Sequence, residues 1–368
     1  MHVCLICIEL FGDSIHGGFG RSTRFIGREL VRRGIAVTIV VPRRSDDYPD
    51  TYDLEGMTVR QYLPHRPWAA LSIFRSCHAD VFHSQDASVG TFLARVAAPG
   101  SRHIVTLRDP MDDRDWQIET DYSELPRAGW LQYRYFIDNP LVATAVKRAH
   151  SLYCAAEFLI PKVMRKYHLT FRPGFLPTPV DVPAAVVKAE RPTVCFIGRW
   201  EGRKRPELFF KLALEFPAVR FIAVGGARDT EQDRRFRELY GGIPSLEMTG
   251  VLDQFRTGEL SAILGKSWII VNTSLREGLP VTFVEGAAHR CAILAFNDPD
   301  GFASRFGCLA QEGRLREALQ FLLAENRWKE RGEAGYRYVN QIFSTDKAME
   351  AHLAAYRAVL GAGAFGLS

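Results

Sequence analysis

The chain has 368 residues, 47% hydrophobic and 24% charged, which suffices for two cores of ordinary domain size and excludes a disordered or low-complexity protein. Its 47 basic and 42 acidic side chains leave a net charge of +5, too slight an excess to indicate nucleic acid as a partner. It is compatible with a cleft for an anionic ligand or with loose peripheral attraction to acidic lipid headgroups.

The opening MHVCLICIEL has no charged leader and no cleavage pattern, so no signal peptide is expected, and no apolar stretch reaches the length of a membrane span. Seven scattered cysteines argue against a disulfide framework and for a reducing compartment, the cytoplasm. Cys4 and Cys7 have redox spacing, but they fall in an apolar strand whose period of two sends them to opposite faces. The run VCLICIEL, then STRFIGRELVRRG ending at Gly34, then AVTIVVP reads as strand, helix, strand. Between the first two, HGGFGRST carries Gly17 and Gly18, which let backbone approach a phosphate or sugar closely. A tight turn explains them as well, and Thr23 stands where a dinucleotide fingerprint has its third glycine.

Further strands follow in DVFHS, HIVTLRD and SLYCAA, separated by helical segments, which predicts an α/β fold with parallel sheet. The segment RDPMDDRDWQIETDYSELPRAGWLQYRYF mixes rings and polar groups, making Arg114 and Trp116 candidates to meet an acceptor; core packing accounts for such rings equally well. Prolines at 173, 177, 179 and 183 mark a boundary near residue 185, after which TVCFIGRW, VRFIAVGG, SLEMTGV and WIIVNTS restart the pattern. Ligands of such sheets bind at the carboxyl ends of strands.

Two post-strand loops of the second half carry chemistry. In FIGRWEGRKRPELF, Arg199 and Lys204 can neutralise a diphosphate, although a solvated basic loop is the alternative. In REGLPVTFVEGAAHR, Pro280 is expected as the first helical residue, with Gly278 to Val281 facing an anion and the carboxylates of Glu277 and Glu285 suited to sugar hydroxyls. No Asp-x-Asp pair ends a strand of this half and no His/Cys cluster has ligand spacing, so no metal and no cofactor are expected. The closing FSTDKAMEAHLAAYRAVL predicts a helix with Met349, Leu353, Tyr356 and Leu360 along one face.

Taken together, these loops resemble the retaining glycosyltransferases of family 4. The resemblance implies the GT-B fold: two Rossmann-like, doubly wound parallel-sheet domains facing a cleft, at 1–185 on the acceptor side and 186–342 on the donor side. The helix of 343–368 would return to the first domain. It also implies that Arg199 and Lys204 hold the donor diphosphate, Glu277 the transferred sugar and Glu285 the ribose. Gly278, Leu279 and Pro280 would line the pocket, and Gly17 and Gly18 would approach the diphosphate. Arg108 stands where the family often has a histidine touching the donor sugar; Asp109 is retained, and His83 resembles another strand-end histidine. Arg290 and Ala292 replace a usual glycine and proline, and FNDPDGFASRFG replaces a Gly-Gly-x-Pro-Glu loop.

The expected activity is retaining transfer from a nucleotide-diphosphate sugar to a carbohydrate, glycolipid or small-molecule hydroxyl. A nucleotide-sugar epimerase and a non-catalytic nucleotide-sugar-binding protein are the alternatives. An NADP-dependent oxidoreductase, from the glycine loop and Arg43-Arg44, leaves the second-half loops without a role.

Overall fold

The computed structural model describes residues 1–12, 17–43, 49–123 and 125–361. They divide into two compact units: Met1–Asp112, Leu125–Pro179 and Thr345–Ser368 form the first, Asp113–Glu124 and Val180–Ser344 the second. Arg44 lies outside the described residues.

In the first unit, strands β1 (His2–Ile6), β2 (Ala36–Pro42), β3 (Thr51–Leu54), β4 (Met57–Tyr62), β5 (Val81–Ser84), β6 (Arg102–Leu107), β7 (Ser151–Cys154) and β8 (Gly174–Phe175) form one sheet. Its order is β3-β4-β2-β1-β5-β6-β7-β8, parallel except for the edge strand β3. Strands β1 and β2 are continuous apolar runs because both their faces are covered. On one face Leu5 and Ile39 pack with Ile26 and Leu30 of the helix Gly18–Arg32 and with Met349, Tyr356 and Val359 of the helix Thr345–Gly361. On the other, Cys4, Ile6 and Val40 pack with Phe74 and Leu93. Cys4 and Cys7 thus belong to different faces, and all seven cysteines are free.

In the second unit, β9 (Thr193–Ile197), β10 (Arg220–Val224), β11 (Leu246–Gly250), β12 (Ile269–Asn272), β13 (Ala292–Ala295) and β14 (Gly307–Leu309) form a parallel sheet in the order β11-β10-β9-β12-β13-β14. The helix Asp113–Asp121 lies between β6 and β7 in sequence yet belongs to this unit, a placement no local pattern signals. The entering strap is pinned by Lys188, whose ammonium donates to the carbonyls of Ser267 and His289, and by Trp268 Nε1, which donates to the Ala189 carbonyl at 2.8 Å.

Glycine is required at 225, where φ is +136° and a Cβ would sit 1.9 Å from the Gly198 carbonyl oxygen. That contact lets the exits of β9 and β10 lie side by side, with Gly198 N donating to Val224 O at 3.1 Å and Trp200 N to Gly226 O at 2.9 Å. Gly225→Ala should therefore cost about 3 kcal/mol or more and lower the melting temperature by roughly 5–10 °C. Gly313→Ala, with φ +76° but nothing within 4 Å, should cost far less. Equal losses in scanning calorimetry would refute the crowding argument.

Candidate functional site

The strand order of the second sheet reverses between β9 and β12, since the chain runs outward from β9 through β10 to β11 and then returns to β12 on the other side. At such a switch point the loops leaving the two strands diverge and open a crevice at their carboxyl ends. The loops emerging there are 198–205 and 273–280, the same two that the sequence singles out.

Backbone and side-chain bonds join these loops into one body. Leu275 N donates to Arg203 O at 3.0 Å, and the Thr273 hydroxyl lies 2.6 and 2.9 Å from the carbonyl oxygens of Lys204 and Arg205. Arg205, in the left-handed region at φ +48°, returns its Nε to the Thr273 carbonyl at 2.8 Å. Lys204 Nζ donates to Glu277 Oε1 at 2.5 Å, and Asn272 Nδ2 donates to the same oxygen at 3.1 Å. Burial pushes the Glu277 carboxyl up, but Lys204 and Arg203 outweigh it and hold the group at about 2. Burial also lowers the Lys204 ammonium, opposed by Glu277. The pair is therefore ionised at neutral pH.

Arg199 keeps a third of its side chain exposed, with Nη2 3.3 Å from Glu201 Oε1. Against its burial, Glu201 is held below the usual carboxylate range by Arg199, then Arg203 and Lys204. Gly278, Leu279 and Pro280 are half-buried and lead into the helix Val281–Ala288. Pro280 is the residue before that helix rather than its first member, because its ψ of 125° is extended while its φ of −62° already suits a helix start. Glu285 sits on the second turn, half-buried, its carbonyl accepting from His289 Nδ1 at 2.8 Å.

In the first unit the carboxyl ends of β5 and β6 hold a buried polar cluster. His83 is fully buried, with Nδ1 2.8 Å from the Tyr356 hydroxyl and Nε2 2.7 Å from Thr106 Oγ1, the arrangement of a satisfied structural histidine. Arg108 points inward, donating to Thr178 Oγ1 at 2.7 Å and to Gln85 Oε1 at 2.5 Å, and burial pulls its guanidinium down to about 10. Asp109 gives its amide to Asp86 Oδ2 at 3.2 Å. Asp86 holds an unusual φ of +145°, and burial pushes its carboxyl to about 6.

Gly17 precedes the helix Gly18–Arg32, and a Cβ there would lie 1.8 Å from Glu9 Oε1, which also accepts from Gly20 N at 3.3 Å. A carboxylate of the chain itself thus occupies the helix start, as the helix dipole favours. Arg114 is exposed and Trp116 buried on the helix Asp113–Asp121, both counted with the second unit.

Sequence reasoning missed Arg203 and Arg276, which flank the chosen Lys204 and Glu277, and the carboxylates of Asp115 and Glu119 that meet them. Only the four-residue spacing of those two acids hinted at a shared helix face. Among the described residues no group of His, Cys, Asp or Glu is arranged to hold a metal ion, and no helix is long and apolar enough to cross a membrane.

Residues 16–182 match the family model described as Glycosyltransferase Family 4, and residues 191–325 match that described as Glycosyl transferases group 1. No curated protein matches the sequence. Among solved structures, a sucrose-phosphate synthase from Thermosynechococcus elongatus is 14% identical, covering 98% of this chain and 99% of its own, at a TM-score of 0.74. HepE of Anabaena in complex with UDP and glucose is 11% identical over 97% and 100% of the two chains, at 0.68. The catalytic domain of starch synthase IV from Arabidopsis thaliana, bound to ADP and acarbose, is 13% identical over 98% and 99%, at 0.66. At these identities the likeness establishes the fold, which is GT-B.

The buried histidines make stability depend on pH. His352, whose Nε2 donates to Pro177 O at 3.2 Å, is pulled to about 3 by burial and then by Arg108. His83 is pulled well below its ordinary value by burial, then by His352 and Arg108. Both stay neutral in the folded chain while the unfolded chain takes up protons below about pH 6.5, so stability falls as pH drops through that point. Asp86, raised instead, opposes the trend between its unfolded value and about 6. Melting temperature should fall by roughly 5 °C or more from pH 7.5 to pH 5, and His352→Asn should flatten part of that slope. A pH-independent melt would contradict the assignment.

Proposed function

The chain belongs to the GT-B glycosyltransferases of family 4, and from that premise we propose that it moves a sugar from a nucleotide-diphosphate donor to an acceptor hydroxyl with retention at the anomeric carbon. The observation that carries this reading is the pair of loops fused at the switch point, with Arg199 partly exposed and Lys204 ionised against Glu277.

In this reading the anomeric carbon's bond to the phosphate oxygen breaks as its bond to the acceptor oxygen forms on the same face. The acceptor's proton passes to the departing phosphate oxygen. Arg199 and Lys204 offset the charge that develops on the diphosphate, and because they are fixed in place little reorganisation is needed at the moment of transfer. Two cations of the chain do this work, so no metal ion enters the scheme. Glu277 accepts from hydroxyls of the transferred sugar and Glu285 from the ribose. Gly278 to Pro280 line the pocket. Two structural neighbours are bound to UDP and glucose and to ADP and acarbose, which agrees with a nucleotide donor of this class. Seven free cysteines fit a cytoplasmic setting. The acceptor is a glycan, a glycolipid or a small molecule.

A thermal-shift screen of UDP-, GDP-, ADP- and dTDP-glucose tests the donor half, because a ligand of the native state alone raises its melting temperature. One nucleotide class should stabilise the chain, and Lys204→Ala or Glu277→Ala should lower turnover about 100-fold or more. Turnover near wild type in both folded variants would refute the site, and donor conversion without any acceptor would favour epimerisation.

A further inference from the structure

Six charged side chains of alternating sign form a continuous run through the second unit. Arg199 Nη2 lies 3.3 Å from Glu201 Oε1, and Arg203 Nη2 lies 3.1 Å from the same oxygen. Arg203 Nε is 3.0 Å from Glu119 Oε1, which Arg276 Nη1 meets at 2.5 Å, and Arg276 Nε is 3.3 Å from Asp115 Oδ1. Exposed ion pairs of this kind contribute little. These are not exposed: the side chains of Arg276, Arg203 and Asp115 are only 6%, 12% and 12% accessible. Breaking one contact therefore strands a charge away from water.

The run has a direction. It begins at Arg199 in the loop after β9 and crosses to Arg276 in the loop after β12 through Glu119, which belongs to neither loop. Asp115 and Glu119 stand four residues apart on the helix Asp113–Asp121, so one face of that helix reaches both arginines. Just beyond its end, the Tyr122 ring covers Gly202, where a Cβ would lie 3.3 Å from the ring edge. Gly202 opens the single 3-10 turn Gly202–Lys204, so the helix and its tail press on the turn that delivers Lys204. Arg203, held by Glu119, is also the residue whose carbonyl receives the Leu275 amide and whose guanidinium donates to the Arg276 carbonyl at 3.2 Å.

We infer that Glu119, supported by Asp115, is a positioning residue for the donor site: it fixes Arg203 and Arg276 so that the two loops present Arg199, Lys204 and Glu277 to a nucleoside diphosphate in one geometry. The inference rests on the reading of Arg199 and Lys204 as diphosphate ligands. It adds a segment that no local pattern attaches to that site.

The test is Glu119→Gln, which keeps the size and removes the charge, with two readouts. Hydrogen exchange of peptides spanning 273–280 in the unliganded protein should quicken about tenfold, while those from β9 and β12 stay as in wild type. Binding of UDP, GDP and ADP should weaken about tenfold for whichever stabilises the wild type, and adding Glu119→Gln to a variant that carries both Arg203→Gln and Arg276→Gln should weaken it no further. A lower melting temperature with unchanged exchange and unchanged affinity would mean that the helix is merely structural and would overturn the inference. Wild-type protein that binds none of the three nucleotides would count against the donor reading instead, and the exchange result would still decide whether Glu119 sets the loops. Should Glu119→Gln not fold, Asp115→Asn, at the longest contact of the same helix, carries the same two readouts.

Discussion

The bond between Lys204 and Glu277 places an ion pair across two loops that backbone and hydroxyl bonds already hold together. Each charge alone would be costly so far from bulk water; together they hold each other ionised, and Glu277 remains so down to about 2. Lys204 already has a carboxylate partner, so in the proposed reading a diphosphate would meet a cation whose place is fixed by that partner and by the Thr273 and Leu275 bonds behind it. Fixed charges of this kind favour a transition state in which negative charge develops at a known position. With its carboxyl held so low, Glu277 is an acceptor of hydrogen bonds at any physiological pH, which suits the proposed role toward sugar hydroxyls and not proton transfer.

The first unit uses polarity differently. Its buried cluster of His83, Tyr356, Thr106, His352, Gln85 and Thr178 joins β5, β6 and the last helix through neutral groups around one cation, Arg108, which has hydroxyl and amide partners and, among the described residues, no paired carboxylate at its terminal nitrogens. Arg108, which the resemblance sets where the family often has a histidine, donates through its two terminal nitrogens to Thr178 and Gln85. Arg108 thus has a local structural role: it ties the end of β6 to the segment that leaves the unit.

Much of this was legible in the sequence because it is local. Apolar runs gave the buried strands, Gly34 marked the end of the first helix with φ +75°, and Met349, Leu353, Tyr356 and Leu360 lined the packed face of the last one. The two loops of the proposed donor site announced themselves through glycine, proline and charge beside strand ends. What was not legible depends on contacts far apart in the chain. Lys204 and Glu277 are separated by 73 positions and His83 and Tyr356 by 273, and no periodicity encodes such partners. Trp116 illustrates the same limit: a ring in a polar segment suits an acceptor surface or a core, and here it is buried. The helix Asp113–Asp121 was hidden most completely, since its sequence neighbours belong to one unit and its salt bridges to the other.

The most direct measurement is a crystal structure of the chain with the nucleoside diphosphate that stabilises it most. The account predicts phosphate oxygens within about 3 Å of the Arg199 guanidinium and the Lys204 ammonium, with a ribose hydroxyl on Glu285 and the Lys204–Glu277 bond retained. A diphosphate bound elsewhere, with these two cations still facing only their own carboxylates, would contradict it.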